Sequence, residues 1–190
     1  MPLTTYTAGE VLTAASLNAN LSFAASSPAS GLTLISATTI GTTVSSVTVT
    51  NAFSATYNNY KIVISGGLAS AAVDLQLQLG ATTTGYYAGY ALITYSSGAI
   101  AGKGNNNAAN FSDFGAGNAN GLNVSADILA PFLTKNTFVV GGQALNVTTN
   151  RNAIFSGFLN DTTSYTAFTI LVSGGTATGG TILVYGYQNS

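Results

Sequence analysis

From Gly31 onward, apolar and polar residues alternate with a period of two, as in strands that bury one face. Val73, Leu75, Leu77 and Leu79 alternate with Asp74, Gln76 and Gln78. Tyr60, Ile62 and Ile64 alternate with Lys61 and Ser65, although Val63 makes that strand apolar on both faces. Leu122, Val124, Ala126 and Ile128 oppose Asn123, Ser125 and Asp127. Near the end, residues 165–171 and 181–187 read as neighbouring strands, with the glycine-rich segment 173–180 supplying the turn between them. Leu32–Ser36, Val44–Thr50, Tyr90–Tyr95, Thr137–Val140 and Ala153–Phe158 are further candidates. No helical period falls between these strands, so the crossover helices of a doubly wound α/β fold are missing. The pattern predicts a mainly β fold: an antiparallel β-sandwich, jelly-roll-like, preceded by a short N-terminal α-helix.

The first 25 residues follow a different rhythm. Val11, Ala14 or Ala15, Leu17, Leu21 and Ala24 recur at helical spacing and predict an amphipathic helix from Val11 to Ala25. Thr7-Ala8-Gly9-Glu10 fits a capping box ahead of it. Ser26-Ser27-Pro28-Ala29-Ser30-Gly31 then breaks the helix and reads as a linker. The chain is accordingly divided into residues 1–30, helix and linker, and 31–190, the β body. Three readings of the segment stand side by side: it caps the domain's own core, it serves attachment or trimerisation through Val11, Leu12, Leu17 and Leu21, or it is a frayed tail.

Composition narrows the function. The 190 residues include 4 Lys+Arg and 5 Asp+Glu, so 5% are charged, against roughly 25% in a typical soluble domain. Cysteine and histidine are absent. That excludes a disulfide framework, the usual zinc and haem ligands, a Cys or Ser–His nucleophile pair and a histidine general base. A net charge of -1 argues against direct nucleic-acid binding, which needs clustered Lys and Arg. No apolar run approaches the ~20 residues of a membrane helix. Disorder is disfavoured because 46% of the residues are hydrophobic. The first basic residue is Lys61, which leaves no basic region for a secretory signal and points to assembly in a cytoplasm. Sequons such as Asn146-Val147-Thr148 are expected by chance in a chain this rich in Asn, Ser and Thr.

Gly104–Gly121 is polar, rich in Gly and Asn, and without period, and reads as a long loop. It is either solvated or packed on a neighbouring subunit, or it contacts a receptor through Asn105, Asn107, Asn110, Asp113, Asn118 and Asn120. Gly85-Tyr86-Tyr87-Ala88-Gly89-Tyr90 is the second candidate contact, with Tyr86, Tyr87 and Tyr90 available to stack on sugars.

Only five carboxylates are available for catalysis: Glu10, Asp74, Asp113, Asp127 and Asp161. A glycosidase needs two of them across a cleft, about 5–10 Å apart. Glu10 is accounted for by its cap, Asp74 and Asp127 by strand faces, and Asp161 by a turn, which leaves Asp113 with no evident partner. A calcium site from Asp113, Asp161 and Asn side chains lacks the dense spacing of a dedicated loop. Ser and Thr have no base beside them, and no phosphate-binding GxxxxGK[ST] pattern occurs. No catalytic residue, metal or cofactor is expected.

Three stretches of the chain resemble a family of tailed-bacteriophage virion proteins. The opening, Tyr6-Thr7-Ala8-Gly9-Glu10-Val11-Leu12-Thr13-Ala14-Ala15-Ser16-Leu17-Asn18-Ala19-Asn20, is similar to the N-terminal segment of many tail-fibre and related structural proteins. The middle, Tyr57-Asn58-Asn59-Tyr60-Lys61-Ile62-Val63-Ile64-Ser65-Gly66-Gly67 with Leu75-Gln76-Leu77-Gln78-Leu79-Gly80 and Thr84-Gly85-Tyr86-Tyr87, resembles their body. The ending, Ser164-Tyr165-Thr166 and Gly179-Gly180-Thr181-Ile182-Leu183-Val184-Tyr185-Gly186-Tyr187, completes the likeness. An Arg is common near the final strand of such proteins, where this chain has Leu183. The resemblance implies a non-enzymatic virion subunit with a β-sandwich body. It would be a homotrimer used as a tail fibre, collar appendage or capsid decoration, contacting itself and other virion proteins. The alternatives are a glycan- or receptor-binding module of a tail fibre facing a host surface glycan and, further off, a depolymerase.

Overall fold

Thr13 starts the first element. Its hydroxyl accepts the Ser16 N–H at 3.2 Å and its carbonyl accepts the Leu17 N–H at 3.0 Å, the two bonds of a helix N-cap. The stretch that follows, whose Ala and Leu residues are good helix formers, runs as α1 from Ala14 to Ser26. In this computed structural model the described residues are 5, 7–9, 11, 13–26, 31–145 and 150–189. Glu10 of the predicted capping box, Leu12, linker residues 27–30 and the sequon at 146–148 lie outside them. The cap among the described residues is thus Thr13, and the helix is shorter at its start than the apolar spacing predicts. Val11 precedes the helix and is exposed, so it adds nothing to a helical stripe. Leu17 and Leu21 lie one turn apart on α1, both exposed. The chain divides into two compact units, Met1–Gly31 and Leu32–Ser190.

The second unit is built of antiparallel strands. They are β1 (Leu32–Thr39), β2 (Ser46–Val49), β3 (Asn59–Gly66), β4 (Leu68–Ala69), β5 (Val73–Leu79), β6 (Tyr86–Thr94) and β7 (Ile100–Ala108). Then come β8 (Phe111–Asn118), β9 (Gly121–Leu129), β10 (Thr137–Leu145), β11 (Arg151–Leu159), β12 (Phe168–Val172), β13 (Ala177–Thr178) and β14 (Thr181–Tyr187). One layer runs β1-β14-β3-β9-β10-β11-β6-β7 and the other β2-β12-β5-β8, while β4 and β13 form a small separate ladder. The layers meet on β9. One edge of β9 pairs with β3 along Leu122–Leu129; its other edge pairs first with β8, at Gly121–Asn123, and then with β10.

The alternating residues close the space between the layers. Leu75, Leu77 and Leu79 of β5 and Phe168 of β12 are buried with Ile62 and Ile64 of β3 and Ile182 and Val184 of β14. Aromatic contacts cross the interior: Phe53 lies against both Tyr60 and Phe168, and Phe114 of β8 against Phe155 of β11, 5.7 Å between ring centres. This is the predicted antiparallel β-sandwich.

Two details differ from the pattern-based expectation. Strands β12 and β14 are not neighbours, since β12 lies between β2 and β5 and β14 between β1 and β3. The segment between them is no simple turn: it contains β13, which pairs with β4 as the chain passes from one layer to the other. The supposed loop 104–121 is also largely strand. It consists of the last part of β7, a bend at 109–110, all of β8 and a tight turn into β9. Its period was hidden because glycines occupy positions where the backbone itself is the packing surface. A Cβ on Gly117 would stand 2.4 Å from Leu122 Cδ2.

Candidate functional site

The tyrosines proposed as sugar contacts separate by parity along β6. Tyr86 points inward and is fully buried; its hydroxyl accepts the Leu79 N–H at 2.8 Å and donates to the Thr82 carbonyl at 3.2 Å. Its ring stands edge-on to Phe111 at 4.9 Å. Tyr90 is also inward and buried, tilted against Phe155. Neither can reach a receptor. Burial pushes the Tyr86 phenol well above its ordinary range and Tyr90 up to about 12. Tyr87 alone faces outward, stacked on Phe158 with ring centres 5.1 Å apart.

The asparagines of the supposed loop are mostly engaged within the protein. Asn105 donates to the Asn110 carbonyl and accepts the Ser112 hydroxyl, each at 2.8 Å. Asn107 occupies a left-handed position (φ 54) at a bulge in β7 and accepts the Gly85 N–H at 2.9 Å. Asn110 donates to Gln76 Oε1 at 3.2 Å, and Asn118 accepts the Asn120 N–H at 2.7 Å. Asn107 and Asn120 are exposed, whereas Asn105, Asn110 and Asn118 are half-buried. Their amides hold the β7–β8 connection and the β8–β9 turn in shape.

Asp113, expected in a loop without a partner, is 2% exposed on β8. The ladder between β5 and β8 loses register between Leu75 and Leu77, so that Ser112, Asp113 and Phe114 together oppose Gln76. A bulge of this kind re-aims side chains. Here the carboxylate meets Lys103 of β7, 2.7 Å from Nζ, with the Ser112 hydroxyl donating at 2.6 Å. Gln143 of β10 donates to the Asp113 main-chain carbonyl at 3.0 Å. Asp74 of β5 is also near the ammonium, at 3.9 Å. Burial foremost, and Asp113 next, raise the Asp74 carboxyl above its ordinary value against the pull of Lys103 and Arg151. The fold thus joins two carboxylates, but around a shared ammonium and with one of them sealed from solvent.

The remaining acids among the described residues have partners of their own. Asp127 takes Lys61 at 3.4 Å and the Tyr187 hydroxyl at 2.5 Å. Asp161 accepts from Tyr165 at 2.7 Å and from the Thr163 hydroxyl and N–H. The Tyr165 bond foremost, with those from Thr163, holds the Asp161 carboxyl below its ordinary value. The calcium reading had joined Asp113 with Asp161; each is instead taken up by its own partners. Among the described residues no three His, Cys, Asp or Glu side chains gather into a metal-binding group.

The feature that the sequence reading missed is the outer face of the eight-stranded layer. Register places Leu129, Phe138, Phe158 and Tyr87 in one row across β9, β10, β11 and β6, with Asp127, Val140, Ser156 and Gly89 in the next. Phe138, Val140 and Ile154 remain 47%, 49% and 56% exposed, and Leu32 and Leu34 of β1 are exposed at one margin. At the outward strand positions of this layer the charged residues are Lys61 and Asp127, which pair with each other. Val140 separates two shallow depressions. One, of about 410 Å³, is bounded by Asn59, Asp127, Leu129 and Tyr187; the other, of about 510 Å³, by Gly89, Ala91, Ile154 and Ser156. The available signal was the unbroken apolar runs Phe138-Val139-Val140 and Ala153-Ile154-Phe155, which put apolar residues on both faces of their strands.

Comparison of the chain with protein-family profiles, curated proteins and solved structures finds no match.

Proposed function

We propose that this protein is a non-enzymatic structural subunit that assembles from copies of itself, a virion component of the kind its sequence resembles. The carrying observation is the outer face of the eight-stranded layer. Phe138, Val140, Ile154, Leu32 and Leu34 lie exposed on it, and its one ion pair is internally neutral. A patch of this type marks an interaction surface. Because the face carries no net charge, two copies meet there without like-charge repulsion, and the ridge at Val140 has depressions beside it to receive a neighbour's side chains. Covering about 800 Å² per partner is the usual scale of a stable contact. The chain's net charge of -1 also gives free subunits little mutual repulsion in solution. The Lys103 ammonium at Asp113 and Asp74 supports a structural role for these carboxylates over a catalytic one.

Sedimentation at micromolar concentration is the test. The expected species is a multiple of the 19.1 kDa chain, a trimer on the resemblance, and Ile154→Lys lowers its mass. A wild-type protein that stays monomeric removes the proposal.

A second reading, the glycan-contacting module, draws on the aromatic row of the same face. Tyr87 stacks on Phe158, and Phe138 stands 6.3 Å from Phe158. On this reading Tyr87→Ala abolishes binding in a glycan array of the assembled protein, and an array without hits for wild type ends it.

A further inference from the structure

The pairs Lys61–Asp127 and Lys103–Asp113 are built differently. Lys61 Nζ meets one oxygen of Asp127 at 3.4 Å, with both side chains partly in solvent. Lys103 Nζ lies 2.8 Å from Asp113 Oδ1 and 2.7 Å from Oδ2, evenly between them. A nitrogen so placed stands about 3 Å from the carboxyl carbon Cγ, the separation of reacting atoms poised for attack. The Asp113 side chain is 3% exposed, and Gln143 fixes its backbone by donating to its carbonyl. The Ser112 hydroxyl donates to Oδ2 at 2.6 Å, and Asp74 Oδ2 lies 3.9 Å from the same Nζ. Burial foremost, and Asp113 next, raise the Asp74 carboxyl above its ordinary value, which suits it to take up and release a proton. One amine thus faces a sealed carboxyl carbon, with a hydroxyl on one oxygen and a second acid alongside.

We infer that Lys103 and Asp113 condense to an amide, a covalent staple between β7 of one layer and β8 of the other. The ion pair is the reactant state, and no co-reactant is needed. Nζ first passes a proton to Asp113 Oδ1, which neutralises both groups; away from water this costs less than in solvent, where hydration favours the separated charges. The Nζ lone pair then attacks Cγ, and the carbonyl electrons move onto Oδ2, where the Ser112 hydroxyl stabilises the developing charge. Asp74, as carboxylate, takes a second proton from Nζ and delivers it to Oδ1. The Cγ–Oδ1 bond breaks, Oδ1 departs as water, and Oδ2 remains as the amide carbonyl. One ammonium and one carboxylate give one amide and one water, with no change of oxidation state. Removing both charges from a site closed to solvent favours the amide over the ion pair. A single turnover suffices, and strands that hold the pair in place supply the effective concentration that free reactants lack. The half-exposed Lys103 stem marks the side by which the water leaves. Lys61 and Asp127, with solvent at both, stay an ion pair.

The experiment is intact-mass spectrometry of the full chain under denaturing conditions, followed by tryptic digestion. The wild type is expected to weigh one water less than its sequence. Trypsin does not cut after a lysine held in an amide, so residues 62–135 should stay one peptide, while cleavage after Lys61 and Lys135 proceeds. Lys103→Arg keeps the positive charge, and with it the ion pair, but has no amine to condense. That variant and Asp113→Ala are expected at full sequence mass. In a time course after cell-free synthesis, Asp74→Asn should accumulate the lighter form at least about tenfold more slowly than wild type. A wild type of full sequence mass that is cut after Lys103 overturns the inference without reference to any variant. A water loss that persists in Lys103→Arg overturns it too, since another group must then be its source. Wild-type kinetics in Asp74→Asn overturn the proton transfer assigned to that residue.

Discussion

Lys103 of β7 and Asp113 of β8 meet at 2.7 Å across the two layers of the sandwich, and only the carboxylate is cut off from water. The ammonium's side chain remains 45% exposed. An ion pair with such unequal burial responds unequally to losing either partner. Lys103→Met leaves Asp113 charged and sealed, with Ser112 as its remaining donor, and is expected to cost about 2–4 kcal/mol. Asp113→Asn leaves an ammonium that can rehydrate, and about 1–2 kcal/mol is expected. Denaturant unfolding of both variants measures the difference; equal losses would mean that the pair is not organised by Asp113's burial.

Tyr86 is a core residue with two hydrogen bonds, to the Leu79 N–H and the Thr82 carbonyl. Removing its hydroxyl strands both groups in the interior. Tyr86→Phe is therefore expected to lower stability by about 1–3 kcal/mol, while assembly and any glycan binding by the folded protein stay unchanged. Unfolding midpoints and sedimentation separate these effects, and a variant as stable as wild type would contradict the assignment.

Adjacent glycines on β10 should behave oppositely. A Cβ on Gly141 would stand 2.6 Å from Ala126 Cβ and 2.7 Å from Phe155 Cζ, in the packed interior. On Gly142, facing outward, its nearest neighbour would be 3.4 Å away. Gly141→Ala is expected to cost about 1–3 kcal/mol by overpacking, and Gly142→Ala to be neutral or slightly stabilising. Paired thermal unfolding curves check this, and a reversed order would sink it.

Stability should be nearly flat between about pH 6 and 9, because the chain has no histidine. On the alkaline side, burial raises Tyr90 and Tyr165 from 10.0 to about 12, and the bond to Asp127 raises Tyr187 to about 12. A raised folded value means that the contribution is complete below pH 10 and lost as the pH climbs to about 12. On the acid side, Asp161 is lowered, so its contribution holds above its ordinary value of 3.8 and disappears as the pH falls through its folded value. Asp74 works in reverse, since its raised carboxyl is ionised at a cost at neutral pH, and Asp74→Asn is expected to stabilise the protein at pH 7. Unfolding midpoints across the range, with phenolate absorbance at high pH, provide the measurement. A fall between pH 6 and 9 would show that another group controls stability.

The strands with large alternating residues were legible in the sequence. Val73 to Leu79 and Leu122 to Ile128 became β5 and β9 because a period of two can bury one face only in an extended chain. The fold class followed, and so did a helix near the start, whose cap among the described residues is Thr13. Strands β7 and β8 were illegible because Gly115, Gly117 and the asparagines carry no hydrophobic period. Likewise Asp113 could not be matched with Lys103, nor Tyr86 distinguished from Tyr87 as core against surface, from composition alone.

Local order thus came from the chain's own periodicity: alternation selects extended backbone, and the near absence of charge keeps most strand surface free of ions. Pairing across distance was decided only in the folded body. There the split of β9 between two layers, the bulge at Asp113 and the open edge at β7 arise because register, and not residue type, sets which groups meet and which remain uncovered.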